Sequence, residues 1–383
     1  MKKRIVVLGS TGSIGKATLE VIEKQSDSME VYGLACKDNV ELFSAQLAKW
    51  KPRYASLFDA SREHEVPFGD AEKLGGLAGI KKMVRTDADI IVNALPGSIG
   101  LEPTLEALRS GKTVALANKE SLVMAGRLIT KLIRETPAKL IPVDSEHSAL
   151  YQLLNTNDGA EIETLYITAS GGPFRKATKE ELRKVRPDEA MKHPTWKMGK
   201  KITLDSATLA NKGLEVIEAR WLFGLDHQRI KVLIHPESIV HGMVELRDGS
   251  ILAYLAHPDM RIPISFALNE GVRTKLPFGK VKLATLRKLT FSAPDVERFP
   301  ALKLAYDALD IGDSAPIVFN AANEVAAAAF MEGRIRFTDI ARLIDEALTR
   351  HTRIEKIEDE QIIWEVHRWA MHYVMQRLRR SID

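Results

Sequence analysis

Residues 4–22 read RIVVLGSTGSIGKATLEVI. A continuous β-branched run stops at Gly9. Gly9, Gly12 and Gly15 then follow at GxxGxxG spacing, and a helical pattern begins immediately afterwards. Glycines in a strand-to-helix turn allow a tight reversal and close approach of backbone to a pyrophosphate, whose charge the helix N-terminus attracts. The spacing is a variant of the dinucleotide fingerprint, and its position after a first strand gives it weight. A tight connection with no ligand is the bland alternative.

Outward from this turn, short apolar runs alternate with longer helical patterns up to about residue 143. They include MEVYGLA (29–35), DIIVNAL (89–95), KTVALA (112–117) and KLIPV (139–143). Continuously apolar strands separated by helices predict an α/β fold, a Rossmann-like doubly wound parallel sheet covered on both faces. Between residues 160 and 260 the texture changes. ETLYITAS (163–170), SIVHGMVEL (238–246) and GSILAYLA (249–256) read as strands, and SATLANKGLEVIEARWLFGL (206–225) as one long helix, making an α+β catalytic region. Residues 276–300 carry prolines and little periodicity. From Ala301 onward the pattern is helical. The expected division is 1–144 for nucleotide binding, 145–275 for catalysis and dimerisation, 276–300 as linker and 301–383 as a C-terminal helical domain.

The chain has 383 residues, 45% hydrophobic and 28% charged. Its Lys+Arg 55 against Asp+Glu 51 leaves a net charge of +4 spread along the sequence. With no basic block, nucleic acid is not expected as a partner. A single cysteine, Cys36, rules out an internal disulfide framework and suits a reducing compartment. No run approaches the roughly 18 apolar residues of a membrane span, and no signal-peptide pattern opens the chain, so the expectation is a cytoplasmic protein with no membrane partner.

Three polar clusters fall where a doubly wound sheet binds ligands, beyond the carboxyl ends of its strands. Asn118-Lys119-Glu120 follows KTVALA, and Asp144-Ser145-Glu146 follows KLIPV. Two carboxylates without a thiolate or base prefer a hard divalent cation such as Mg²⁺ or Mn²⁺; helix capping by Asp144 is the alternative. In the third cluster, Asn211, Lys212 and Glu215 share one helical face. Glu215 could complete a three-carboxylate site with Asn211 and Lys212 as anion binders, or Lys212 and Glu215 could form an ordinary ion pair. Ser170-Gly171-Gly172 ends a strand with a hydroxyl and amides suited to an oxyanion. HPTWKMGK (193–200) has the composition of a lid. After the second strand, Lys37 and Asn39 favour the 2′-phosphate of NADP, whereas Asp38 argues for NAD.

Taken together, GSTGSIG, LANKESLV, PVDSEH, SGGPF, HPTWKMGKKITLDSATLANKGLEVIEARWLF, IHPESIVHGMV, PDMRIPI and NAANEVAAAAF closely resemble the 1-deoxy-D-xylulose 5-phosphate reductoisomerase family. The resemblance implies a homodimeric, NADPH-dependent enzyme of non-mevalonate isoprenoid biosynthesis. Its reaction is the metal-dependent rearrangement and reduction of 1-deoxy-D-xylulose 5-phosphate to 2-C-methyl-D-erythritol 4-phosphate, with Mg²⁺ or Mn²⁺, or Co²⁺ as a third option. It implies Asp144, Glu146 and Glu215 as metal ligands. Lys119 and Ser145 would stand at the substrate's reacting end, and Ser170, Ser206, Asn211 and Lys212 at its phosphate, with His193 a further contact. Thr11, Gly12, Ser13, Ile14, Asn118, Glu120 and Gly199 would contact the cofactor. Trp196 and Met198 fall on the family's flap, and His147 stands beside the metal motif. One departure is visible: the family commonly has Gly-Lys-Asn where this chain has Lys37-Asp38-Asn39. A homoserine- or semialdehyde-type dehydrogenase and a catalytically silent NADP-binding sensor are the competing readings. The dehydrogenase reading supplies no reason for Asp144-Ser145-Glu146 together with Glu215.

Overall fold

The computed structural model describes residues 1–155, 162–192, 196 and 198–380. It divides into two compact units. Unit 1 comprises residues 1–121, 129–148 and 259–278; unit 2 comprises 122–128, 149–258 and 279–383.

Unit 1 is built on a seven-stranded sheet of β1 (Lys3–Leu8), β2 (Met29–Cys36), β3 (Tyr54–Leu57), β4 (Glu72–Lys73), β5 (Ile90–Asn93), β6 (Thr113–Leu116) and β7 (Lys139–Pro142). The order is β4-β3-β2-β1-β5-β6-β7, and every pairing is parallel. The reversal between β1 and β5 is the switch point at which such sheets open a ligand crevice. Ile5, Val6, Val7 and Leu8 are all fully buried, which is why β1 reads as a continuous apolar run rather than an alternating one. The crossovers are α1 (Ser13–Lys24), α2 (Val40–Trp50), α3 (Gly76–Val84) and α4 (Leu101–Arg109), followed by α5 (Lys119–Glu135) and α6 (Ser145–Leu154). Helix α5 kinks at Ala125. Next to the kink, a Cβ on Gly126 would lie 2.1 Å from the Trp221 ring, so only glycine permits that approach.

Unit 2 opens with the four-stranded sheet β11-β10-β8-β9, formed by β8 (Ile162–Ala169), β9 (Ile230–Ile234), β10 (Val240–Leu246) and β11 (Ile251–Leu255). β8 pairs with β9 in parallel and with β10 antiparallel; β11 is an edge. The one-turn helices α7 (Lys179–Leu182) and α8 (Pro187–Ala190) precede α9 (Lys200–Thr208) and α10 (Ala210–Phe223). The single helix expected over 206–225 is therefore two helices. The chain breaks at Leu209, whose φ of 61° is left-handed, and the cost of that conformation is borne because the side chain is buried. The chain then passes α11 (Arg261–Leu268), which belongs to unit 1, where Gln25 donates to Ser265 and Thr274 and accepts from Asn269. Four helices close unit 2: α12 (Ala301–Ile311), α13 (Ser314–Met331), α14 (Asp339–Arg350) and α15 (Glu360–Arg380). Residues 276–300 are mostly irregular, as their composition predicts, with one short 3₁₀ turn at Leu283–Thr285.

Candidate active site

In unit 1 the glycine turn leaves no room for side chains. A Cβ on Gly9, whose φ is +84°, would lie 2.5 Å from the Ala94 carbonyl oxygen. One on Gly15 would lie 2.3 Å from the Gly9 carbonyl oxygen. Ser10 fixes the turn from below: its hydroxyl donates to Gln46 Oε1 at 2.7 Å, and Gln46 Nε2 returns a bond to the Ser10 carbonyl at 2.9 Å. Thr11 Oγ1 lies 3.1 Å from Cys36 Sγ at the end of β2. Gly12 is the N-cap of α1 and contributes no side-chain cap. The segment Thr11-Gly12-Ser13-Ile14 thus presents a helix N-terminus to an anion, the local chemistry a pyrophosphate requires.

Asn118 and Glu120, both buried, brace the mouth of the sheet. Asn118 Nδ2 donates to the carbonyls of Leu95 and Gly97, each at 2.8 Å, and Asn118 Oδ1 accepts from the amide of Ser121. Glu120 Oε1 accepts from the amide of Gly97 at 3.2 Å. The Asn118 side chain is consequently occupied in holding the loop after β5 against α5. At the next position Lys119 points its ammonium at Asp144, 2.6 Å from Oδ2, with both side chains largely removed from solvent. The ammonium is thus a charge partner of the carboxylate. Ser145 donates to Glu146 Oε2 at 2.6 Å. His147 is fully buried one position on. The acids ending β7 are oxygen donors beside a cation, a set that fits a hard divalent ion.

In unit 2 a second constellation forms at the end of β8. Gly171 and Gly172 have φ of +82° and +66°, and a Cβ on Gly172 would lie 2.8 Å from the Ser206 carbonyl oxygen. The glycine pair therefore seats the Ser170 loop directly on the last turn of α9. Lys212, at the start of α10, donates to the Thr168 carbonyl at 2.7 Å and to Glu215 Oε2 at 2.6 Å. Asn211 Nδ2 donates to the other oxygen, Glu215 Oε1. Ser170, Ser206, Asn211, Lys212 and Glu215, drawn from three separate stretches of sequence, are thus gathered within one unit. The break at Leu209 makes this possible, because it leaves Ser206 on α9 while turning Asn211 and Lys212 onto α10.

Of the lid residues, Trp196 packs edge-on against His241 with ring centroids 6.3 Å apart. Gly199 caps α9 with open space around it. His193 lies outside the described residues, as do residues 194, 195 and 197.

Sequence reasoning missed one buried contact. Asp205, next to Ser206, accepts from Lys201 Nζ at 2.7 Å and from Asn323 Nδ2 at 2.9 Å. The signal available was Asn320 and Asn323, three apart in an otherwise alanine-rich helix, since asparagine is placed in such a core only with a polar partner.

Comparison with known proteins bears on both units. Profiles described as 1-deoxy-D-xylulose 5-phosphate reductoisomerase match residues 5–126, and profiles for that enzyme's C-terminal domains match 140–223 and 255–373. The reductoisomerase of Chlorobaculum tepidum is 47% identical over 379 residues, 98% of this chain and 99% of its own. That of Thermodesulfovibrio yellowstonii is 47% identical over 371 residues, 96% of this chain and 97% of its own. A crystal structure of DOX-P reductoisomerase with NADPH, fosmidomycin and magnesium superposes with a TM-score of 0.95 at 35% identity, covering 100% of this chain and 99% of that one. The Zymomonas mobilis enzyme with NADPH gives 0.91 at 38%, covering 99% of each. Sequence, fold and local geometry agree, and the chain belongs to the 1-deoxy-D-xylulose 5-phosphate reductoisomerase family.

Proposed function

We propose that this protein converts 1-deoxy-D-xylulose 5-phosphate to 2-C-methyl-D-erythritol 4-phosphate with NADPH and a divalent cation, and that it does so as a cytoplasmic homodimer. The observation that carries the reading is the pair of preorganised constellations. One is a glycine-turn helix terminus with acids and Lys119 at neighbouring strand ends; the other is the Ser170, Ser206, Asn211, Lys212 and Glu215 cluster. Solved relatives, one with NADPH, fosmidomycin and magnesium and another with NADPH, support the same assignment. Nucleotide binding is assigned to residues 1–144, catalysis and dimerisation to 145–275, a connecting role to 276–300 and support of the catalytic region to 301–383.

Asp144, Glu146 and Glu215 are assigned as the cation's ligands, with Mg²⁺ or Mn²⁺ suited to an all-oxygen set. The bound cation supplies Lewis-acid polarisation of adjacent substrate oxygens, and NADPH supplies the reducing equivalent. Every other part of the work falls to the protein. Lys119 Nζ adds positive charge at the reacting end, where oxygens gain charge as the skeleton rearranges. Ser145 Oγ, beside Glu146, orients that end. Ser170, Ser206, Asn211 and Lys212 hold the remote phosphate, whose binding energy serves orientation and closure of the lid around Trp196 and Met198. His193 and Gly199 are assigned to that lid as substrate and cofactor contacts. Closure keeps water from the aldehyde formed by rearrangement. Thr11, Gly12, Ser13 and Ile14 hold the pyrophosphate, and Lys37 and Asn39 the adenosine end. Asn118 and Glu120, whose side chains are already engaged, contribute through backbone and shape.

The dimer reading draws support from β11. This edge strand reads ILAYL, and Ile251 and Leu255 are exposed. An uncovered apolar edge is a liability unless another chain lies on it.

The deciding experiment follows nicotinamide absorbance with purified protein, the sugar phosphate and NADPH before and after exhaustive chelation. Turnover that stops on chelation and returns with Mn²⁺ or Mg²⁺ is expected. Full-rate turnover after chelation rejects the metal assignment.

A further inference from the structure

The turn after β2 carries Asp38 where the family pattern has lysine, an unfavourable exchange at the place where a 2′-phosphate is recognised. In unit 1 a cation arrives at this turn from a different strand. Three consecutive carbonyls each accept a bond from the segment after β3. Phe58 N donates to Cys36 O at 2.8 Å, Asp59 N to Lys37 O at 3.1 Å, and Arg62 Nη1 to Asp38 O at 2.8 Å. Asp59 also caps the short 3₁₀ helix Ala60–Glu65 by accepting from the amide of Ser61, which fixes where Arg62 begins.

The guanidinium therefore lies on the turn that opens α2, close to the partial positive charge of that helix's first amides. Val40 N shares the same Asp38 carbonyl at 3.0 Å. Asn39 caps α2 with Oδ1, accepting from Leu42 N at 3.2 Å, which leaves its NH₂ group to donate. The remaining fork of Arg62 is held by Glu65, Nε to Oε1 at 2.8 Å and Nη2 to Oε2 at 2.7 Å. Both partners are about two-fifths exposed, and an ion pair in such a setting opens at little cost. A guanidinium matches a phosphate monoester with parallel bonds that a lysine cannot form.

We propose that Arg62 recognises the 2′-phosphate of NADPH in this chain, taking over the task of the lysine that Asp38 replaces. The inference rests on the reading that unit 1 binds NADPH. Binding exchanges the Glu65 carboxylate for the phosphate on the outer fork, while Nη1 stays anchored on the Asp38 carbonyl. Glu65 and Asp38 then oppose the phosphate, so selectivity for NADPH is set by the balance of the Arg62 guanidinium and Lys37 against two acids.

The test is a fluorescence titration of the full-length protein with NADPH and, separately, NADH, with adenosine 2′,5′-bisphosphate as a competitor. Arg62→Gln is expected to weaken NADPH and the bisphosphate about tenfold or more while NADH changes less than about twofold. Glu65→Gln is expected to tighten NADPH and leave NADH alone. Asp38→Lys added to Arg62→Gln is expected to restore the preference. A wild-type protein that prefers NADPH, with that preference intact in Arg62→Gln, overturns the assignment while the functional reading stands. Equal weakening of both nucleotides also overturns it, because Arg62 would then be a loop staple only. A wild-type protein that binds neither nucleotide overturns the functional reading and this inference together.

Discussion

Glu215 is buried with both carboxylate oxygens occupied, one by Lys212 and one by Asn211. A buried carboxylate is tolerated only when paired or liganded, and as a metal ligand it would exchange Lys212 for a stronger partner. Replacing it by glutamine removes the charge and keeps the shape. Glu215→Gln leaves the buried Lys212 ammonium without its counter-charge, although the amide oxygen can still accept its bond. The melting temperature should therefore fall while the protein still folds, and turnover should drop at least about 100-fold, the scale of one lost electrostatic contact in a transition state. Steady-state rates at saturating Mn²⁺ check this, and near-normal activity removes Glu215 from the metal site. Lys212→Met strands the opposite charge, that of Glu215, which an added cation can answer. Its stability should fall by about 3 kcal/mol without metal and recover in part when Mn²⁺ is added, since a ligand of the folded state raises stability by mass action. Calorimetry with and without the ion reads both, and in activity assays the KM for sugar phosphate should rise far more than that for NADPH. The proposed Asp144, Glu146 and Glu215 set can be put forward from the sequence because carboxylates at strand ends and helical spacing carry their own signal. Asn323 signals only that some polar partner exists, and nothing points it to Asp205, 118 positions away. Their bond exists only because α9 meets α13, and no local pattern encodes that meeting.

At the level of elements, the apolar runs that announced β1, β2, β5, β6 and β7 are there because a two-sided buried strand must be apolar throughout. β3 reads YASL, where Tyr54 and Ser56 interrupt the apolar run, and β4 has only the two polar residues Glu72 and Lys73. The break between α9 and α10 was illegible for another reason: helices are usually interrupted by glycine or proline, whereas here a buried leucine adopts the left-handed conformation. The Ser170 loop depends on this break, and Gly172→Ala tests the dependence. The substitution places a Cβ 2.8 Å from the Ser206 carbonyl at a φ of +66°, so stability should drop by about 1–3 kcal/mol and the KM for substrate should rise while that for NADPH holds. Thermal melts and initial rates measure the two effects, and an unchanged KM would detach the loop from the phosphate end. Helix α15 carries a separate sensitivity. Burial pushes His367 down to about 4, and Trp364 lies edge-on to its ring. A histidine depressed in the fold binds its proton more readily when unfolded. Its contribution is complete above pH 6.5 and is lost as the pH falls towards 4. Unfolding free energies measured between those values should decline by an amount on the order of 3 kcal/mol, and His367→Phe should flatten the slope. A slope that persists in the variant assigns the effect to another group.

Across the whole chain, sequence order and spatial grouping part company. Residues 259–278 follow β11 in sequence but belong to unit 1, tied there by Gln25 to Ser265, Thr274 and Asn269 and by Arg261 to Glu20. Nothing local distinguishes that helix from its neighbours, since the tie is made by polar side chains about 240 positions away along the chain. Assembly state is the other property that belongs to the molecule entire. β11 offers one paired side to β10 and one open side, and Ile251 is 54% exposed with Leu255 at 38%. Evolution usually blunts such an edge with charge or proline, so an apolar one that persists implies a cover. A second copy of the same strand is the simplest cover, because a twofold axis pairs an edge with itself. The proposed dimer should therefore fail when the edge is charged. Ile251→Lys combined with Leu255→Lys is expected to elute at the monomer mass near 43 kDa in light-scattering chromatography, against about twice that for the unaltered chain, with each protomer's circular dichroism preserved. If the doubly charged variant still elutes as a dimer, the interface lies on another face of unit 2 or of unit 1, and β11 must be protected by something other than its own copy.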